Sequence, residues 1–198
     1  MPARTQLPSP AAEDRRKWND RYRDSAGADA IKPPAPHPLA IKWRSRFAGG
    51  PMLDAACGLG RGIAGAVRDF EPIYAVDVSD EAIGMARRLW PDRSLRWIVG
   101  DVTALPWPQD FFGLVCSLRF TDRAFLRSIR TSIRPGGMFL YEGFSERQLA
   151  RKPDMNPGWV MTQAGLAELF ADWEILEIGE STESHPLIHC AAIRRERM

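Results

Sequence analysis

The sequence predicts an α/β fold: one doubly wound sheet of seven strands, mostly parallel, with an antiparallel hairpin at its C-terminal edge. Three observations predict it. Short apolar runs alternate with helical patterns from residue 51 to residue 144, as expected of parallel strands joined by crossover helices. A glycine cluster, Gly58-Leu59-Gly60-Arg61-Gly62, ends the first apolar run. The last two runs, 173–178 and Leu187–Ile193, are joined by a polar segment too short for a crossover helix, so they pair antiparallel.

The bulk properties suit such a domain. The chain has 198 residues, 44% hydrophobic and 26% charged, close to the average for globular proteins and enough for one core. No apolar run approaches the roughly 20 residues that span a bilayer. Residues 1–12, with several prolines and no apolar segment, read as a disordered tail and not as a secretory signal. Residues 13–198 read as one domain: N-terminal cap helices and a proline-rich loop over 13–48, the ligand-binding core over 51–144, and a C-terminal helix and hairpin over 145–198. Three widely spaced cysteines, Cys57, Cys116 and Cys190, offer neither a disulfide framework nor paired metal ligands, which points to a reducing, cytoplasmic setting. A net charge of +2 gives no footprint for nucleic acid, and no metal site is expected.

Residues 13–24 form a short helix that places Trp18 and Tyr22 on one face. The repeated prolines at 33, 34, 36 and 38 interrupt regular structure, and a helical pattern resumes over 37–47. Strands are expected at 51–57, 73–78, 95–99, 112–117 and 138–144. Helices are expected at 63–70, from Ser79-Asp80 to about Trp90, at 121–133 and at 162–170, with a hard turn at Arg134-Pro135-Gly136-Gly137.

The chemistry concentrates where the first strand ends. In a doubly wound sheet, ligands sit outside the carboxyl ends of the strands. Gly58 and Gly60 remove side chains where backbone meets ligand, and Asp77, at the end of strand two, is placed to accept from a ribose diol. A glycine loop with a distant acid fits a dinucleotide enzyme too. Three details separate the readings. The third glycine of a dinucleotide fingerprint is replaced by Ile63; Asp54, just before the turn, would crowd a pyrophosphate; Asp101 closes strand three, where it can accept from an adenine amino group. Three acids without a phosphate-neutralising lysine match a donor-rich cationic nucleoside such as S-adenosylmethionine. A nicotinamide-dependent oxidoreductase and a non-catalytic cofactor-binding subunit remain as alternatives.

The stretches LDAACGLGRG (53–62), YAVDVS (74–79), GDVTALPW (100–107), FGLVCSLRF (112–120) and RPGGMFLYE (134–142) resemble the motif series of class I S-adenosylmethionine-dependent methyltransferases. Arg61 directly after the second glycine, the Trp18-Asn19…Arg21-Tyr22 helix and the segment 159–177 resemble the tellurite-resistance and thiopurine-methyltransferase branch. Leu59 and Gly62 depart from that branch's usual acid and asparagine. The resemblance implies a Rossmann-like sheet and a set of cofactor contacts. Asp54, Cys57, Gly58 and Gly60 would line the methionine end, by side chain or backbone. Asp77 would hold the ribose, with Val78 packing on adenine. Asp101 and Val102 would meet adenine, Ser117 and Leu118 would flank the methionine portion, and Trp18, with Tyr22, would close over the cofactor.

No residue declares itself as a catalytic base. Arg119, after strand four, is a candidate for contact with an anionic substrate, with the cofactor carboxylate or with a surface acid. The segment after strand four lacks the Asn/Asp-Pro-Pro-aromatic motif of exocyclic-amine methylation. A small-molecule acceptor is therefore expected, neither nucleic acid nor membrane being a partner.

Overall fold

The computed structural model describes residues 10–25, 32–91, 95–181 and 185–196. Residues 1–9 of the expected tail, positions 26–31 before the proline-rich loop, 182–184 of the hairpin turn and Arg197 lie outside the described residues. The first helix, α1 (Pro10–Ser25), begins inside the segment expected to be tail. A short helix, α2 (Pro38–Trp43), follows the prolines, with His37 as its N-cap and Pro38 in its first turn, where a missing N–H costs nothing.

The sheet contains β1 (Met52–Ala55), β2 (Ile73–Asp77), β3 (Leu95–Val99), β4 (Phe112–Leu118), β5 (Ile133–Ser145), β6 (Val160–Met161), β7 (Glu174–Glu180) and β8 (Leu187–Ile193). Its order is β3-β2-β1-β4-β5-β8-β7, with β6 paired to the end of β5. The first five strands run parallel, and β8 pairs antiparallel with both β5 and β7. The seven expected strands are all present, and the two-residue β6 is an addition too short to leave a periodic signal.

Helices α3 (Arg61–Ala64), α4 (Asp80–Leu89), α5 (Arg123–Ile129) and α6 (Gln163–Leu169) complete the fold. Strand residues alternate between two cores. Leu53, Ala55, Val115, Phe139 and Tyr141 pack with α5 and α6 through Phe125, Leu126, Leu166 and Phe170. Met52, Ala75, Leu114, Met138 and Leu140 pack with α2, α3 and α4 through Leu39, Ile63 and Ile83.

Three expected elements differ. The helix expected over 63–70 is only α3, ended by Gly65; a side chain there would fall 2.5 Å from the Ala40 Cβ of α2, so packing requires glycine at the helix end. The helix expected over 121–133 starts after Asp122, whose Oδ1 accepts from Phe125 N at 2.7 Å. It ends in a 3-10 turn, and Ile133 already belongs to β5. The turn expected at 134–137 is a bulge within β5, because Ile133 pairs with Phe112 and Met138 with Leu114.

Gly113 shows how tightly β4 is seated. Its N–H donates to Pro51 O at 2.8 Å, and a Cβ would fall 1.8 Å from Gly49 O. Backbone cannot yield as a flexible side chain does, so Gly113→Ala is expected to destabilise the protein by about 3 kcal/mol or more, read as a lower midpoint in urea unfolding.

Candidate active site

The chain winds outward from β1 to β3 and returns to β4 on the other side, so the crevice between the C-terminal ends of β1 and β4 is the switch point of the sheet. The glycine turn fills one wall. Ala56, Gly58 and Gly60 have φ of 52°, 52° and 87°, and the turn is tied down by Cys57 N to Val76 O (2.9 Å), Gly60 N to Cys57 O (2.8 Å) and Trp90 Nε1 to Leu59 O (2.9 Å). A Cβ on Gly60 would fall 2.9 Å from Trp90 Nε1, and one on Gly58 2.5 Å from the Tyr22 hydroxyl. Cys57 is buried beside them, and burial pushes its thiol up.

Asp54, Asp77 and Asp101 are brought to the ends of three adjacent strands. Asp77, 7% exposed, bridges two turns: Oδ2 accepts from Gly58 N at 2.8 Å and Oδ1 from Ser79 N at 2.9 Å. Burial raises its pKa, and those backbone bonds partly offset the rise. Asp54, 2% exposed, accepts from Ile63 N at 3.3 Å, and a Cβ on Gly62 would lie 2.5 Å from its carboxylate. Its carboxylate thus lies beneath the start of α3, fills the space that Gly62 leaves and supports the turn. Burial, against the bonds from Ile63 and Gly62, pushes its pKa to about 8. Asp101 Oδ1 accepts from Thr103 N (2.9 Å) and Thr103 Oγ1 (2.7 Å). Among the described residues no cationic side chain pairs with Asp54 or Asp77.

Helix α1 forms the roof. Asn19 Nδ2 donates to Asp80 Oδ1 at 2.8 Å, Ser79 Oγ donates to Asn19 Oδ1 at 2.7 Å, Arg15 Nε reaches Val78 O at 3.0 Å, and Arg23 pairs with Glu81 at 2.8 Å. Between this helix and the strand ends lies an open cleft of about 430 Å³, lined by Arg15, Asn19, Arg23, Val78 and Asp101 among others. Val102 is buried just behind it in the core. Trp18 sits on the flank of α1, half-buried, its ring 6.4 Å from that of Tyr22. The Lys17 ammonium lies 5.9 Å from the Trp18 ring and 4.9 Å from that of Trp159, linking α1 to the segment before β6.

The other wall is the paired ends of β4 and β5. Ser117 and Leu118 are buried, and Ser117 Oγ donates to Phe120 O at 3.0 Å. Arg119 follows in a left-handed conformation, φ 68°, with N–H to Glu142 O at 2.6 Å and Nε to Glu142 Oε1 at 2.5 Å. The Glu142 side chain is 14% exposed, and its Oε2 stands 3.0 Å from Nε2 of His37, a residue 3% exposed. That approach is too bent for a regular hydrogen bond but close enough to steady the carboxylate. Burial alone would raise Glu142, and His37 and Arg119 together hold it below its ordinary value.

Asn19, Trp90, His37 and Glu142 are the site residues that sequence reasoning missed. Glu142 interrupts the apolar run 138–144, and an acid in a buried strand demands partners. Asn19 is a poor helix former in mid-helix. Trp90 carries no comparable signal.

The fold and the crevice define a Rossmann-like α/β domain. Residues 52–137 match a family model described as a methyltransferase domain. Among curated proteins, a fatty-acid O-methyltransferase of Mycolicibacterium smegmatis is 30% identical over 97 residues, 46% of this chain and 35% of that protein, so the match spans about a third of the relative's length. Among solved structures, geranyl diphosphate C-methyltransferase from Streptomyces coelicolor superposes with a TM-score of 0.67 at 14% identity, covering 96% of this chain and 99% of that one. A 1,6-didemethyltoxoflavin methyltransferase from Burkholderia thailandensis gives 0.64 at 19% identity, covering 96% and 92%. These solved structures share the fold of this chain. Among the described residues no helix is long and apolar enough to cross a membrane.

Two measurements check this geometry. Because Asp54 holds its proton up to about pH 8 when folded, against 3.8 ordinarily, the folded state binds one more proton than the unfolded chain between those values. Its contribution to stability is therefore full below about pH 4 and is lost as pH rises to about 8. Asp54→Asn is expected to remove that slope, read as a stability difference from the parent protein that grows in favour of the variant between pH 5 and 8. Asn19→Ala is expected to loosen the roof by about 1–3 kcal/mol, read as faster amide exchange confined to residues 10–25.

Proposed function

We propose that the protein transfers a methyl group from S-adenosylmethionine to a small-molecule nucleophile. The observation that carries the reading is the buried Asp77 carboxylate, joined to the glycine turn at the switch point with only backbone donors as partners. A buried charge without a counter-charge is costly, and a cationic, donor-rich nucleoside is the ligand that relieves it. A pyrophosphate would aggravate it. On this reading Asp77 holds the ribose, Val78, Asp101 and Val102 meet adenine, and Gly58, Gly60, Cys57, Ser117 and Leu118 line the methionine end. Tyr22 and Trp18, on α1, close the top.

Bound S-adenosylmethionine supplies an electrophilic methyl group. The protein's part is alignment and exclusion of water: α1 and the Lys17–Trp159 contact roof the cleft, and the ends of β4 and β5 form the wall nearest an acceptor. A small-molecule acceptor is supported by the named substrates of the similar proteins, a fatty acid, geranyl diphosphate and a toxoflavin precursor. The finer likeness to the tellurite-resistance and thiopurine branch is carried by α1, Arg61 and the segment 159–177, and concerns the cap more than the core.

Titration calorimetry tests the proposal. S-adenosylmethionine and S-adenosylhomocysteine are expected to bind and nicotinamide dinucleotides not to; the reverse would sink it. Asp77→Ala is expected to weaken cofactor binding at least tenfold, since bonds to a buried charge are worth about 1.5–3 kcal/mol.

A further inference from the structure

Arg119 occupies a position that costs the chain something. A non-glycine residue at φ 68° is disfavoured by its Cβ, and it persists only when its surroundings over-determine it. Here they do: the backbone N–H is held by Glu142 O and the side-chain Nε by Glu142 Oε1, while Glu142 is steadied in turn by His37 from the proline-rich loop. The guanidinium is thus fixed from behind. Its two terminal nitrogens make no hydrogen bond among the described residues, and the side chain is 44% exposed at the end of β4. An oriented fork with free terminal donors at the carboxyl end of β4, beside the switch point of the sheet, matches a carboxylate. One arginine partly offset by Glu142 suits a monoanion better than a phosphate dianion.

Among the described residues the same corner contains no available base. Both Glu142 oxygens face cations or His37, and the carboxyl is held below its ordinary value. His37 Nδ1 accepts from Leu39 N at 3.3 Å, Nε2 faces Glu142, and the ring is shut away from the cleft. A wall that offers an anchored cation but nothing to remove a proton suits a nucleophile that arrives already ionised.

We propose that the methyl acceptor is a carboxylic acid, bound as its anion through the terminal nitrogens of Arg119 and methylated on oxygen. The inference rests on the methyltransferase reading above. A carboxylate oxygen forms a bond to the methyl carbon as the carbon–sulfur bond breaks, and the electron pair of that bond passes to sulfur. Anion and sulfonium become a neutral ester and a neutral thioether, with no proton left to place.

The test uses the full chain with methyl-tritiated S-adenosylmethionine and matched acceptors: octanoate and benzoate beside the corresponding amines, alcohols and thiols. Tritium is expected in the acids alone, released as methanol by mild alkali. Label that resists alkali, or that enters amines or thiols but not acids, overturns the proposal. Independently of turnover, octanoate or benzoate is expected to bind the protein loaded with S-adenosylhomocysteine, and Arg119→Gln to weaken that binding about tenfold or more while cofactor affinity stays within about twofold. Arg119→Gly, whose backbone accepts the positive φ without strain, serves if the first variant folds poorly. A loss of cofactor affinity with acid binding unchanged would assign Arg119 to the cofactor carboxylate and overturn the proposal. If the cofactor binds but neither acid binds or is labelled, the acceptor assignment fails alone; if the cofactor does not bind, the methyltransferase reading itself has failed.

Discussion

The Asp77 carboxylate joins the two turns on which the cleft depends. One oxygen holds Gly58, in the turn after β1, and the other holds Ser79, the N-cap of α4. Ser79 in turn donates to Asn19 of α1, whose amide reaches Asp80. A single buried side chain therefore sets the distance between the glycine turn, the first turn of α4 and the roof. It does so while carrying a charge that burial opposes, and backbone dipoles alone are an incomplete substitute for water. On the proposed reading, that tension between a strongly bonded carboxylate and its dry surroundings favours a cationic partner in the crevice.

Asp54 illustrates the same balance at a different depth. Its carboxylate lies under α3 in space vacated by Gly62, so the acid that opens the motif and the glycine that closes it are one steric unit. Replacing either without the other leaves a clash or a void.

Strand positions and the antiparallel C-terminal edge were legible because buried parallel strands are short apolar runs bounded by turns, and each such run here is interrupted sharply by glycine, proline or an acid. Helix lengths were less legible. Ile63, Ala66 and Phe70 keep a helical period, yet Gly65 meets Ala40 across the α2 contact and stops α3 after one turn; that is a tertiary constraint no local period contains. The three aspartates were legible as strand-end acids, but the direction of the Asp54 side chain was not, since a strand-end acid reads alike whether it faces the cleft or the helix above it. His37 and Glu142 lie 105 positions apart in sequence and touch only after the proline-rich loop folds against the end of β5. Arg119 was legible as a residue at the mouth; that its fork is anchored was not.

The antiparallel margin of the sheet has a consequence of its own. β7 is an outer strand, and an uncovered outer strand is a template for unwanted self-association. Here the strand breaks register between Ile175 and Glu177, and its acids recruit cations from the neighbouring helical segment: Arg46 grips Glu174, while Lys42 and the Trp43 indole hold Glu177. An irregular rim lined with glutamates and strapped by basic side chains resists stacking of one copy against another, so the open side of the sheet is kept from becoming a seed for fibrils.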